Sequence, residues 1–327
     1  MLGGTHHVGR CVVEDALARG WDVTTLNRGL TGPDSPGVDA RTADRRDPAA
    51  LAGALGGDEW DLVVDTWSGA PGVLRTAARL LAGRTRHFGY VSTRSVYAWP
   101  IPAGADESAP VVDGDPGSDD EQDYATVKRG CELAVLETFG DPALLARPGL
   151  ILGPYERVGR LPFWLRRLAD GGPVPAPGPR DRPLQYIDAR DLASWMLDAG
   201  ARGLGGIFNA VSRPGHTTIG SLLEEAVAVT GGRAELVWLT PEQVEAAGVS
   251  GWTELPIWVP PTGDLAALHD GNTSAAHEAG LRCRPMPETV ADTWAWLQRE
   301  RYPTDVRPDT GFGPDAEARL LARAGER

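Results

Sequence analysis

The sequence predicts an α/β protein in which a doubly wound parallel sheet carries a smaller C-terminal lobe. Three observations point there. Gly3-Gly4-Thr5 followed by Gly9 has the spacing of a strand-to-helix turn. Short apolar strands and helix-period segments then alternate as far as Arg147. From Gly153 onward that rhythm gives way to Pro-rich turns, short strands and isolated helices. Regular strand–helix alternation places crossover helices on both faces of a parallel sheet.

Taken in order, only Met1 and Leu2 precede the glycine turn, so the strand feeding it is a stub. A central strand is buried on both faces. Losing about four apolar residues there at ~1.5–3 kcal/mol each rivals a domain's whole stability of ~5–15 kcal/mol. The natural chain is therefore expected to begin upstream. Val8, Val12, Val13, Ala16 and Leu17 recur at helical spacing and Gly20 closes that helix. Strands are expected over 21–26, just before Ala43, over 61–65 and over 87–93, with helices over 48–55 and 73–81. Residues 99–123, rich in Pro, Gly, Asp and Glu, read as a long surface loop over the mouth of the fold. A helix over 124–139 and a strand over 143–147 follow. Further helices are expected over 164–168, 192–199, 219–229 and 290–296. The C-terminal lobe should lie over the carboxyl ends of the strands, where open α/β sheets bind ligands.

Composition narrows the function classes. The net charge of −13 argues against a broad nucleic-acid footprint, which needs a basic face. Cys11, Cys131 and Cys283 are odd in number and far apart, as expected of reduced thiols. No apolar run reaches membrane-spanning length and no signal peptide precedes the turn, so a cytoplasmic protein is expected.

Chemistry concentrates in Tyr124-Ala125-Thr126-Val127-Lys128. Four residues apart on a helix, the phenol and the ammonium share a face. A nearby cation favours the phenolate and moves the tyrosine toward proton transfer. Ser92-Thr93 ends the preceding strand, where a hydroxyl can hydrogen-bond the reacting oxygen. The glycine turn would hold a dinucleotide pyrophosphate against the N-terminus of the next helix.

These residues together resemble the short-chain dehydrogenase/reductase superfamily, in its extended epimerase/dehydratase-like branch. Gly3-Gly4-Thr5…Gly9, Ser92-Thr93-Arg94-Ser95-Val96-Tyr97, Tyr124…Lys128 and Arg147-Pro148-Gly149…Gly153-Pro154 occur in the family's order. Gln185-Tyr186-Ile187-Asp188-Ala189-Arg190-Asp191-Leu192-Ala193 and Phe208-Asn209-Ala210 extend the match over nearly the whole chain. His6 stands where the family's middle glycine falls, as in a divergent branch reading GGTxxxG. The resemblance implies a Rossmann-type dinucleotide-binding domain over 1–153, rejoined by 183–210. Residues 154–182 and 211–327 would form the substrate-binding lobe. It also implies Tyr124 as acid/base, Lys128 as its electrostatic partner and ribose ligand, and Thr93 as the active-site hydroxyl with Ser92 adjacent. Gly3, Gly4, Thr5, His6 and Gly9 would cradle the cofactor. Asp44-Arg45 would touch the adenine, Asp65 and Thr66 would line the channel, and Pro148 would lie near the nicotinamide.

Asn27-Arg28 follows the second strand, and a guanidinium suits a 2′-phosphate by charge and by its fork of donors. NADP(H) is therefore the expected cofactor, with NAD the alternative. The elimination acids of nucleotide-sugar dehydratases are replaced here by Arg94-Ser95, which disfavours dehydration. An NADPH-dependent reductase of a carbonyl or imine in a small metabolite is expected; a tailoring step of secondary metabolism is one such setting. A nucleotide-sugar epimerase with tightly bound NAD is the alternative, and a non-catalytic RNA- or ligand-binding member of the fold the third reading. Trp67, Tyr155, Arg157, Trp164, Arg182 and Trp252 are candidate substrate residues, with Arg160, Arg167 and Arg180 in the same basic stretch. No metal site has convincing spacing. A homodimer is expected by the same resemblance, with no nucleic-acid or membrane partner.

Overall fold

A computed structural model describes residues 1–30, 32–300 and 310–325. The expected lobe over 211–327 thus includes residues 301–309, 326 and 327, which lie outside the described residues. The first half runs α1 (His7–Ala18), β1 (Thr24–Asn27), β2 (Asp39–Thr42), α2 (Pro48–Leu55), β3 (Trp60–Asp65), α3 (Pro71–Leu81), β4 (Thr85–Val91), α4 (Tyr124–Phe139) and β5 (Leu144–Ala146). Then follow β6 (Leu150–Leu152), α5 (Arg160–Asp170), β7 (Gly172–Pro177), β8 (Pro183–Leu184), β9 (Tyr186–Asp188), α6 (Ala189–Ala201) and β10 (Gly206–Phe208). The remainder is β11 (Thr217–Thr218), α7 (Ile219–Val229), β12 (Ala234–Leu239), α8 (Pro241–Ala246), α9 (Ser274–Glu278), α10 (Met286–Arg299) and α11 (Pro314–Ala324).

The main sheet is parallel. On one side β2 pairs with β1; on the other, β3, β4, β5 and β10 pair in that order. Leu2 joins the two halves by bridging to both Leu26 and Asp65. Its N–H donates to Val64 O at 3.0 Å, and Leu26 N–H donates to Met1 O at 2.9 Å. Two residues thus stand in the central position, and apolar cavities open beside Met1. One is lined by Leu26, Trp60, Val63 and Leu81, the other by Val12, Trp21, Leu62 and Val64. Neither reaches Tyr124. The strand expected over 21–26 begins only at Thr24, because Trp21 N–H still donates to Ala16 O as the chain leaves α1, and the ladder to β2 opens with Asp39 N–H on Val23 O.

Periodicity explains the crossovers. α1 buries Val8, Val12, Val13 and Ala16 and packs with α6 residues Leu192 and Met196 on one face of the sheet. α3 buries Leu74, Ala77 and Leu81, which with Leu51, Ala134 and Val135 cover the other face. A third cluster, including Trp164, Leu222, Trp258, Trp296 and Leu320, fills the C-terminal region around the parallel pair β7–β12. α5 starts at Arg160 rather than Trp164 because the Glu156 carboxylate accepts from the N–H groups of Arg160 and Leu161, at 2.7 and 3.2 Å. The short helices α8 and α9 and the terminal α11 had no counterpart in the sequence reading. No helix among the described residues is long and apolar enough to cross a membrane.

Candidate active site

The glycine turn takes the form its sequence suggests. Gly3 and Gly4 have φ of 101° and 118°, a region that side chains disfavour. A Cβ on Gly9 would lie 3.0 Å from Gly4 N, so glycine there lets α1 approach the turn. His6 is the N-cap of α1 in extended conformation and makes no side-chain cap bond, leaving the first N–H groups of the helix without one. Burial, with help from the Arg157 charge, holds the His6 imidazole below its usual pKa. His7 is driven down to about 4 by burial, so both rings are neutral near pH 7. An uncapped helix start beside a glycine cradle fits a dinucleotide pyrophosphate. Gly3, Gly4, Thr5, His6 and Gly9 are the residues that would hold it.

Beyond β4, Thr93 caps the 3-10 turn Arg94–Val96 and its Oγ accepts from Ser95 N–H at 3.1 Å. Tyr124 is the first residue of α4, whose start is fixed by the Asp123 side chain accepting from Ala125 and Thr126 N–H. Thr93 Oγ donates to Ser95 Oγ at 3.2 Å, and its hydroxyl stands close enough to the Tyr124 phenol to favour the phenolate. Tyr124 is half-exposed; its partial withdrawal from water raises the phenol pKa above its usual value, while Thr93 and the Arg160 charge act in the opposite direction.

Lys128 differs from expectation. It is buried, and Nζ donates to Trp67 O at 2.8 Å and Val91 O at 2.6 Å while lying 4.3 Å from the Tyr90 ring centroid. Burial pulls it down to about 8. The cation that acts on the Tyr124 hydroxyl is Arg160; Lys128 instead ties α4 to the carboxyl ends of β3 and β4. Ser92 also departs from its expected role as an adjacent catalytic hydroxyl. Its Oγ donates to Glu132 at 2.7 Å inside the protein, since successive residues at a strand end point to opposite sides. Glu132 is fully buried and receives two bonds from Arg147 at 2.8 Å and one from Arg129 at 2.9 Å. Despite burial, these partners hold its carboxyl below the usual range. Sequence reasoning passed over Glu132, although it continues the Tyr124, Lys128 stripe by one further helical step.

Polar side chains gather at the carboxyl ends of β1, β2 and β3. Asn27 Nδ2 donates to Asp34 at 2.8 Å, and Thr25 Oγ donates to the same carboxylate oxygen at 2.7 Å. The loop thereby returns an acid to a strand end where the local sequence shows none. Arg28 is exposed. Asp44 is exposed and accepts from Arg46 N–H, whereas Arg45 is buried in a bidentate pair with Asp65 at 2.8 and 2.7 Å. Arg45 therefore serves the end of β3 with both terminal nitrogens rather than reaching out toward an adenine. Trp67 lies beneath the guanidinium groups of Arg45 and Arg46, 4.7 and 5.2 Å from its ring. Thr66 Oγ sits where a Cβ on Gly3 would come within 3.0 Å. Pro148 is buried, and its carbonyl accepts from Arg94 N–H at 2.9 Å.

The candidate substrate residues divide. Arg160 stacks on Trp252 at 4.6 Å and acts on Tyr124, and Arg157 acts on His6, so both stand by the cleft. Trp164 does not: it is fully buried and donates its indole N–H to Pro256 O at 2.9 Å. Tyr155 is packed between the Arg10 guanidinium at 3.9 Å and Trp296. Arg182 donates to Pro260 O and Ala266 O, tying down the 260–266 loop, while Arg167 and Arg180 pair with Glu317 and Glu224. Among the described residues no cluster of His, Cys, Asp and Glu could hold a metal ion.

Comparisons with known proteins match this architecture. The NAD dependent epimerase/dehydratase family model matches residues 1–210. A protein of Burkholderia cenocepacia J2315 superposes with TM-score 0.69 at 20% identity, covering 91% of this chain and 97% of that one. Bordetella bronchiseptica WbmH, solved in complex with NAD+, gives TM-score 0.67 at 18% identity, over 91% of this chain and 96% of that one. The UDP-glucose 4-epimerase of Thermus thermophilus, solved with NAD, gives 0.62 at 19%, over 91% and 97%. No curated protein matches the sequence. At these identities the solved structures establish a common fold. With the family model matching well over half of the residues, the chain belongs to the NAD-dependent epimerase/dehydratase family.

Proposed function

We propose that the protein is an NADPH-dependent reductase of a carbonyl or imine in a small metabolite. The observation that carries this reading is Tyr124 at the start of α4 with Thr93 beyond the end of β4 acting on its phenol, in a chain whose glycine turn has the form of a dinucleotide cradle. A reduced nicotinamide bound there supplies a hydride. Tyr124 gives its phenolic proton to the substrate oxygen as negative charge develops on it. Thr93 orients that hydroxyl, and the Arg160 charge favours the phenolate left behind. Lys128 holds the ends of β3 and β4 against α4 and so fixes the floor on which Tyr124 stands.

A nucleotide-sugar epimerase with bound NAD is the second reading, favoured by the NAD-containing neighbours of the same fold. Against it, three arginines available for a nucleotide diphosphate are engaged elsewhere: Arg182 by carbonyls, Arg167 and Arg180 by carboxylates. That leaves Arg157 and Arg160 as the cations of this stretch that act on the glycine turn and on Tyr124. Arg28, after β1, and Arg46, after β2, are exposed cations that both act on Glu121, and they support the choice of the phosphorylated cofactor. The test is a panel of carbonyl compounds with NADPH and NADH, following loss of reduced-nicotinamide absorbance. The expected result is turnover with NADPH at a kcat/KM at least tenfold above that with NADH. Tightly co-purifying NAD with interconversion of a nucleotide sugar would replace the reductase reading by the epimerase one.

A further inference from the structure

The segments that follow β2 and β3 are linked by one carboxylate from the loop that precedes α4. Glu121 accepts from Arg46 Nη2 at 2.8 Å through Oε1 and at 3.1 Å through Oε2. The same Oε1 accepts from Ala70 N–H at 3.0 Å. Arg46 follows β2 and Ala70 follows β3, so the loop is tied to the carboxyl-end side of both strands. The contact is close. A Cβ on Gly69 would come within 2.8 Å of both Glu121 Oε1 and the Trp67 ring, so the carboxylate lies against the backbone here. Trp67 forms the wall below, with Arg46 over its ring.

We infer that Glu121 occupies the anion position at these strand ends and competes with the 2′-phosphate of the cofactor for Arg46, which makes it a determinant of cofactor specificity. The inference rests on the cofactor preference proposed above. Its electrostatics agree: Ala70 N–H, Arg46 and Arg28 together hold the Glu121 carboxyl below its usual range, the behaviour of a group surrounded by donors and cations. The pair is exposed on both sides, 42% for Arg46 and 41% for Glu121, so it is a weak bond that a better ligand can displace. A phosphate monoester is such a ligand, offering the guanidinium a bidentate partner of higher charge than a carboxylate. A cofactor lacking the 2′-phosphate has no reason to disturb the contact.

The test is calorimetric titration of the full chain with NADP+ and NAD+, which reads binding without turnover. Glu121→Gln should tighten NADP+ about fivefold, the most that an exposed ion pair of this kind withholds, and leave NAD+ within twofold. Arg46→Ala should weaken NADP+ about tenfold, again with NAD+ within twofold. Asp120→Asn removes the same charge from the same loop without touching Arg46, and should change neither cofactor by more than twofold. Equal effects on both cofactors, no effect of Glu121→Gln on NADP+, or an Asp120→Asn effect as large as that of Glu121→Gln would overturn the inference. Because binding alone is measured, these outcomes stay distinct from failure of the reductase reading, which shows as absent carbonyl turnover.

Discussion

Lys128 shows how far a residue's environment can depart from its spacing. The four-residue step from Tyr124 correctly places both side chains on one helical face, yet the ammonium ends beneath the cleft, bonded to two carbonyls. Spacing fixes the face of a helix; it says nothing about how deep a long side chain reaches. Glu132 was legible by the same rule, whereas Asp34 and Glu121 were not, since their partners are reached only through loops that fold back on the strand ends. The burial of Lys128 has a consequence for stability. Below about 8 it is charged in the folded and unfolded states alike, and folding carries the full penalty of burying it. Between about 8 and its ordinary value of 10.5 the folded protein releases the proton while the unfolded chain keeps it. The unfolded state then binds more protons, so stability rises with pH, by ~3 kcal/mol in total. Urea denaturation of the wild type and Lys128→Met at stepped pH checks this: the wild type should gain on the variant from pH 8 upward. A pH-independent difference would contradict it.

At the scale of elements, β4, α4 and β5 are joined by one buried ionic knot, Ser92–Glu132–Arg147 with Arg129 at its edge. Removing one partner from such a pair strands a charge in the interior. Glu132→Ala is therefore expected to lose ~3–5 kcal/mol of unfolding free energy. Adding Arg147→Met should restore much of that loss by removing the orphaned cation. A single-variant loss below about 1 kcal/mol would show that the knot relaxes into solvent. The elements themselves were readable where periodicity was strong: α2, α4 and α7 take the expected bounds. β1 was not fully readable, because its length depends on a neighbouring backbone rather than on its own apolar pattern. Trp164 misled for a related reason. A tryptophan in a basic, Pro-rich stretch resembles a pocket wall, and only tertiary packing shows it in the core with Trp258 and Phe312.

For the whole molecule, strand–helix alternation and the ordered set of motifs carried the architecture, since both are local patterns with few topological solutions. How the basic residues after Gly153 are divided between cleft and scaffold could not be read in the same way, because each arginine's role is set by carbonyls and carboxylates far away in sequence. That division now separates Arg157 and Arg160, beside the glycine turn and Tyr124, from Arg167, Arg180 and Arg182, which brace the lobe. The central claim is that Tyr124 delivers the proton in a nicotinamide-dependent reduction. Its most direct test is Tyr124→Phe, assayed on the wild type's best carbonyl substrate alongside cofactor titration. The variant's kcat should fall by about 10²–10⁴-fold with cofactor affinity within twofold of wild type. Turnover retained to within a few-fold, with cofactor bound normally, would contradict it.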